Sequence, residues 1–190
     1  MKLSILIPTI PGREELLRIV SATHVAQHPD CEILTTSVYS WGEGLNQLAR
    51  RAKGDYWLTA CDDILPHAGW FHAARQAVDL GFTPATRYWH KDGSPLRAGT
   101  DDAAHGDRVD WCRSFLLTEE IYSDVGPFID ATWYADVDYS ERIRETGREI
   151  VACDGFSFTH LDGPRDWNTE MEDRRQWALY QASQDRRVAR

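Results

Sequence analysis

The segment YWLTACDDILP (residues 56–66) joins a short apolar run to two adjacent carboxylates. Its first half has the composition of a buried β-strand, and Asp62 and Asp63 follow directly, three residues before Pro66. Adjacent strand residues point to opposite faces, so two acids in mid-strand would bury one charge at high cost. At the last residue of a strand the chain turns, and both side chains can face solvent or a metal ion. We therefore place the pair at the end of a core strand; the alternative is an aspartate-rich turn before Pro66.

The chain before this segment alternates between strand-like and helix-like patterns. LSILIP (3–8) is rich in isoleucine and CEILTTSVYS (31–40) in β-branched residues, so both predict strands. Residues 15–27 and 42–54 have the apolar spacing or the glycine boundaries of helices. The resulting β-α-β-α-β order predicts an α/β fold with a mostly parallel, doubly wound sheet. Such sheets bind ligands beyond the carboxyl ends of their strands, which is where the two aspartates lie.

The second half of the chain is less regular. Residues 91–107 contain almost no large apolar side chains and predict a loop, either mobile over a site or a disordered surface insertion. We find no internal repeat and no linker, and therefore predict one domain. The other elements are predicted as helices over 66–80, 119–126, 134–147 and 165–190, and as strands over 83–90, 108–118 and 148–161, the last holding one or two strands.

Charge and cysteine spacing exclude several classes of protein. The formal net charge of −9 argues against a protein that grips nucleic acid through its phosphates, although a local patch could still hold a DNA acceptor. Cys31, Cys61, Cys112 and Cys153 are widely spaced without a Cys-x-x-Cys pair, so we expect free thiols and neither a zinc site nor a disulfide framework. The first apolar run is too short for a signal peptide or a membrane span, and we expect a soluble cytoplasmic protein.

Two acidic positions near the predicted helix 134–147 have separate roles. Asp136 and Asp138 are two residues apart and face away from each other on a helix. Asp138 and Glu141 have the spacing of a capping box, which leaves Asp136 just before the helix. A free carboxylate there could take a proton from a nucleophilic hydroxyl, or Asp136 could itself be the cap.

Other polar residues follow predicted strands. His160 ends an apolar run, where a neutral imidazole could complete a divalent metal site or could simply pack or lie on the surface. Thr9 and Arg13 lie in the loop PTIPGRE (8–14), before a helix, and suit an anionic or nucleotide ligand. The loop lacks the G-x-G-x-x-G pattern, so a dinucleotide is not indicated.

Taken in order, these segments resemble the family-two glycosyltransferases of GT-A fold. LSILIPTIPGRE (3–14) resembles the first strand and nucleotide loop of that family, and GLNQLARRAKGDYWLTACDDILP (44–66) resembles its G-x-N helix, G-D-Y strand and metal-binding D-x-D region. DVGPFIDATWYADVDYSERIRETG (124–147) resembles the segment with the catalytic base, and FTHL (158–161) the late strand with a metal-binding histidine. The match spans roughly residues 3–161.

The resemblance implies a single GT-A domain, like that of nucleotide-diphospho-sugar transferases, over residues 1–190. It implies a nucleotide-binding half (1–66), an acceptor and catalytic half (67–164) and a C-terminal helical tail (165–190). Asp63 and His160 would bind Mn²⁺ or Mg²⁺, and Asp136 would be the general base. Substrate or nucleotide contacts would come from Pro8, Thr9, Arg13, Asn46, Asp62 and Trp133.

The sequence departs from the family pattern at three places. Cys61 stands at the first position of the D-x-D triplet, and Ala135 replaces the acid before Asp136. The second strand ends without the acid that usually holds the nucleotide base, so Ser37 or Tyr39 could take that role or the donor could carry another base.

The expected activity is metal-dependent, inverting transfer of a hexosyl or pentosyl group from a nucleotide-sugar to an acceptor hydroxyl. The acceptor could be a glycan, a protein or a modified DNA base. One alternative is a catalytically silent nucleotide-sugar-binding module, consistent with Cys61 and Ala135. A nucleotidyltransferase ranks lower, because TIPGRE (9–14) has a single glycine where that class shows a glycine-rich loop.

Overall fold

A computed structural model describes residues 2–38, 40–95, 113–132, 134–161 and 175. Its elements, in chain order, are β1 (Leu3–Thr9), α1 (Glu14–Gln27), β2 (Glu32–Ser37), α2 (Trp41–Ala49), β3 (Tyr56–Thr59), β4 (Ile64–Pro66), α3 (Trp70–Asp79), β5 (Thr83–Trp89), β6 (Leu116–Leu117), α4 (Glu119–Val125), α5 (Ala135–Glu145) and β7 (Ile150–His160).

The first five elements confirm the predicted β-α-β-α-β order. Strands β2, β1 and β3 are parallel neighbours, and β6 adds an antiparallel edge beside β3. Strand β1 is buried on both faces, as its unbroken apolar run predicts. Leu6 packs into one core cluster, while Ile5 and Ile7 pack into the other, because successive strand residues point to opposite faces.

The described strands form two sheets, and the expected single, mostly parallel sheet is not what they build. In the second sheet β7 lies between β4 and β5, antiparallel to β4 and parallel to β5. The short strand β4 was not predicted; it begins directly after Asp63 and pairs Ile64 with His160. The fold is therefore a mixed α/β arrangement in which the end of β3 and the end of β7 meet at the aspartate pair.

A glycine in α2 brings the segment before α5 close to the first sheet. A Cβ atom at Gly42 would lie 1.9 Å from the carbonyl oxygen of Ile129, so only glycine fits there. The Gly42 amide also donates to the Ala131 carbonyl at 3.0 Å. Ser40 caps the same helix by accepting from the Glu43 amide.

The predicted capping box at Asp138 and Glu141 is wrong. Helix α5 begins at Ala135, four residues earlier than that interpretation requires, and its N-cap is Tyr134. Asp138 is instead buried within the first turns, and its carboxylate accepts from Arg142 Nε at 2.8 Å, one turn further along.

Several predicted features lie outside the described residues. They are most of the loop 91–107, the first part of the strand 108–118, all of the tail helix 165–190 except one residue, Cys112, Tyr39 and Trp133. The three cysteines that the structure describes are free thiols. Within the described ranges, none of the helices has the length and apolarity that crossing a membrane requires.

The face of α1 that packs on α3 contains a buried histidine. His24 is fully buried, packs edge-on against Trp70 with ring centroids 5.9 Å apart, and has no described hydrogen-bond partner for either ring nitrogen. Burial, with a smaller effect of the His28 charge, lowers the pKa of His24 to about 3. The folded protein therefore keeps the His24 side chain in its neutral form.

This histidine makes stability depend on pH. The unfolded chain takes up a proton near pH 6.5 while the folded chain resists it down to about pH 3, so stability is full above 6.5 and falls as the pH drops below it. In that window we expect the free energy of unfolding to lose about 1.4 kcal/mol per pH unit through His24. Urea unfolding between pH 4 and 8 measures this slope.

Two variants isolate the contribution of this side chain. His24→Leu should flatten the slope, whereas His72→Gln, at an exposed position on α3, should leave it unchanged. An unaltered slope in His24→Leu would contradict the prediction.

Candidate functional site

The predicted aspartate pair lies in the turn between β3 and β4, and an arginine joins its two carboxylates. Asp62 and Asp63 are 3% and 8% exposed. Arg13 Nη1 donates to Asp62 Oδ1 at 2.8 Å and to Asp63 Oδ2 at 3.0 Å. Thr9 Oγ1 donates to the other oxygen of Asp62 at 2.5 Å. The loop after β1 is therefore tied to the end of β3, as the predicted meeting of these two segments requires.

Arg13 compensates the charge of the two carboxylates. Burial on its own would lower the pKa of the Arg13 guanidinium, but the hydrogen bond and charge of Asp62, with the charge of Asp63, raise it above its ordinary value. A cation in this position makes two adjacent, nearly buried carboxylates tolerable.

His160 approaches the same carboxylate from β7. Its Nε2 atom lies 3.7 Å from Asp63 Oδ2, and the Leu161 amide donates to the Asp63 carbonyl at 2.7 Å. A carboxylate oxygen and an imidazole nitrogen at this spacing are a donor pair that a divalent cation such as Mn²⁺ accepts, with further oxygens from a substrate. The described residues hold no group of three or more metal-ligating side chains. The pair therefore fits a cation that depends on its substrate for its remaining ligands.

Asp136 lies in the first turn of α5, after a residue in an unusual conformation. Tyr134, the N-cap, has φ 66°, and it is the only non-glycine residue with positive φ in the described part of the chain. The Val137 amide donates to Asp136 Oδ1 at 2.9 Å. Burial raises the pKa of Asp136 to about 6, while the Val137 amide and the charge of Arg113 act in the opposite direction. Such a pKa suits a group that accepts a proton near neutral pH.

Cys61 shows that the three carboxylates converge. Burial raises the pKa of its thiol well above the usual range, and the charges of Asp63, Asp62 and Asp136 raise it further. One side chain thus lies within electrostatic reach of both the aspartate pair and the helix that carries Asp136. The first position of the D-x-D-like triplet thus feels the charge of all three carboxylates, although it holds no carboxylate itself.

Arg113, which the sequence did not single out, lies beside this cluster. Its guanidinium carbon is 5.7 Å from the centre of the Tyr88 ring, and its charge acts on Asp136. The signal in the sequence was an arginine directly before the apolar run SFLL (114–117). A charged residue next to a buried strand is expected at the end of that strand.

The other predicted contacts have mixed outcomes. Pro8 is buried, and Gly44 of α2 packs closely against its ring. Pro8 therefore supports the start of the loop after β1 by packing against α2. Asn46 joins α2 to the chain before α5: its Oδ1 accepts from the Phe128 amide and the Tyr122 hydroxyl, and its Nδ2 donates to the Phe128 carbonyl. The Asn46 amide is thus used to join these two segments, and substrate or nucleotide contacts by Pro8, Thr9, Arg13, Asn46 and Asp62 stay predictions.

Comparison with known proteins identifies the fold. No family model and no curated protein matches the sequence. Among solved structures, S. aureus TarS 1–349 is similar with a TM-score of 0.66 at 10% identity, over 85% of this chain and 60% of TarS. The same protein in complex with UDP gives a TM-score of 0.63 at 10% identity, over 84% and 60%. This chain thus spans about 60% of the length of those structures and has a mixed α/β fold similar to that of TarS 1–349.

Arg13 should be essential for stability. Arg13→Gln removes the cation from two nearly buried carboxylates, and we expect the free energy of unfolding at pH 7 to fall by about 3 kcal/mol. The matched control is Arg18→Gln, on the helix that follows Arg13, because Arg18 forms only an exposed ion pair with Glu15 and its loss should change little. Equal urea midpoints for both variants would contradict this role.

Proposed function

We propose that this protein transfers a sugar from a nucleotide-sugar donor to an acceptor hydroxyl, with inversion at the anomeric carbon. The observation that carries the proposal is the approach of His160 Nε2 to 3.7 Å from Asp63 Oδ2, together with the charges of Asp63 and Asp136 that both act on the Cys61 thiol. The fold supports it, since the similar TarS structure was solved in complex with UDP, the nucleotide that a UDP-sugar donor leaves behind.

The donor diphosphate would lie at the aspartate pair. Asp63 and His160 would hold Mn²⁺ or Mg²⁺, which, when bound, neutralises charge on the departing diphosphate. Asp63 Oδ2 is also the oxygen that Arg13 binds, so the guanidinium is placed to exchange a carboxylate partner for a phosphate oxygen. Thr9 and Asp62 fix the loop from which Arg13 would make this contact.

Asp136 would act as the general base. Its ionised carboxylate accepts the proton of the acceptor hydroxyl as the oxygen attacks the anomeric carbon from the face opposite the diphosphate. The Val137 amide donates a hydrogen bond to one of its oxygens, Oδ1. The transferred group is a hexosyl or pentosyl unit, and the acceptor is a glycan, a protein or a modified DNA base.

One observation favours a second candidate, a module that binds a nucleotide-sugar without turnover. Cys61 places a half-buried thiol within reach of the three carboxylates, at a position where the family that the sequence resembles carries a carboxylate. Donor turnover in Mn²⁺ compared with chelator distinguishes the two functions.

Donor binding is the first test. We expect one nucleotide-sugar, or a small set with one base, to raise the melting temperature by several degrees with Mn²⁺ or Mg²⁺ and by less with chelator, because ligand binding stabilises the folded state. Asp63→Asn should remove the metal-dependent part of this rise in melting temperature. Asp154→Asn, which alters an exposed carboxylate, should leave it in place. A full nucleotide-sugar panel that leaves the melting temperature unchanged would overturn the proposal.

Replacing the base should separate binding from turnover. Asp136→Asn is expected to lower transfer, or donor hydrolysis if the acceptor is unknown, by roughly 10²–10⁴-fold while leaving the donor affinity intact. In the wild-type protein the rate should rise with pH through about 6, because only the ionised carboxylate accepts a proton. Undiminished turnover in Asp136→Asn would remove the assignment.

A further inference from the structure

The backbone beside Arg113 is fixed at the carboxyl end of β3. The Phe115 amide donates to Thr59 Oγ1 at 2.8 Å, and the Thr59 amide donates to the Phe115 carbonyl at 2.9 Å. The Ser114 hydroxyl is bonded to the Tyr88 hydroxyl at 2.5 Å. The backbone next to residue 113 is therefore fixed to β3 through Phe115 and to β5 through Ser114. Residue 113 lies near the end of β3 that leads to Cys61.

The Arg113 side chain lies over an aromatic ring, and its charge reaches Asp136. Its guanidinium carbon is 5.7 Å from the centroid of Tyr88, which is 5% exposed. Its charge lowers the pKa values of both Asp136 and Tyr88, against the larger effect of burial. The guanidinium thus lies at Tyr88 of β5, within electrostatic reach of the first turn of α5.

Other partly buried arginines of the fold are paired. Arg13 binds the aspartate pair, Arg142 binds Asp138 at 2.8 Å, and Arg148 binds acids of α4. Arg113 makes no hydrogen bond or ion pair with any residue that the structure describes, Asp136 included. If its purpose were only to neutralise Asp136, a direct hydrogen bond of the kind that Arg13 makes would be expected.

We propose that Arg113 binds an oxyanion of the acceptor, so that the preferred acceptor carries a phosphate or carboxylate near the reacting hydroxyl. This inference rests on the proposed function, because it takes Asp136 as the base that faces the acceptor. A planar guanidinium presents paired N–H groups that match an oxyanion. In a site with three carboxylates, an anionic acceptor needs a cation beside the base, and Arg113 is placed to supply it.

The test measures anion binding while the nucleotide site is filled. The full chain is saturated with UDP and Mg²⁺ and titrated with inorganic phosphate and with glucose 6-phosphate, using glucose as the neutral probe. We expect both anions to bind without displacing UDP, glucose to bind much more weakly, and Arg113→Gln to weaken anion binding by about tenfold or more. Arg113→Lys should retain part of the affinity.

The matched control is Arg87→Gln, which removes the same charge from the opposite face of β5, where Arg87 pairs with Asp154. It should bind the anions like the wild-type protein. Equal anion affinity in Arg113→Gln and wild type, an equal loss in Arg87→Gln, or displacement of UDP by the anions would each overturn the inference. Failure of every nucleotide to bind would instead overturn the proposed function, and the two failures are therefore distinguishable.

Discussion

The contact on which the site depends is the one between Arg13 and the two carboxylates that follow β3. Two adjacent acids at 3% and 8% exposure would repel each other and lose hydration if no cation were present. Arg13 satisfies both with a single nitrogen, and Thr9 adds a second bond to Asp62. Because Thr9 ends β1 and Arg13 lies in the loop that follows, the same bonds that stabilise the pair also set the position of that loop.

The second sheet provides the other half of the site. Strand β4 follows the acids without a gap and pairs with β7, which places His160 beside Asp63. The short strand β4 thus connects the end of β3 with β7, the last strand that the structure describes. Asp136 lies on a third element, α5, and its charge acts on the Cys61 thiol together with the charges of the aspartate pair.

Local patterns predicted those parts of the fold that depend on local physics. The apolar runs of β1 and β3 identify buried strands. Strand β3 ends at Thr59, and Asp62 and Asp63 lie in the turn that follows, which is the alternative of an aspartate-rich turn before Pro66. Strand β4 escaped prediction because Ile64–Pro66 resembles a turn; Pro66 is tolerated there since β4 is an edge strand of its sheet.

The misses inside the site have a different cause. The interpretation of Asp138 as a cap failed because the spacing of acids does not reveal where α5 begins, which Tyr134 decides with its positive φ. Arg113 escaped notice because its position follows from the bonds between Thr59 and Phe115, 56 residues apart in sequence. Contacts over such separations are invisible to periodicity.

The absence of a side chain at Gly42 has a consequence for how this architecture diversifies. The carbonyl of Ile129 occupies the space where a Cβ atom of residue 42 would lie. The segment that leads to Asp136 therefore packs directly against the backbone of α2. A chimaera that grafts a foreign version of this segment onto the first sheet would have to reproduce that intimate backbone fit. Substitutions that leave this backbone contact in place are consequently easier for the fold to accept than exchange of the whole segment.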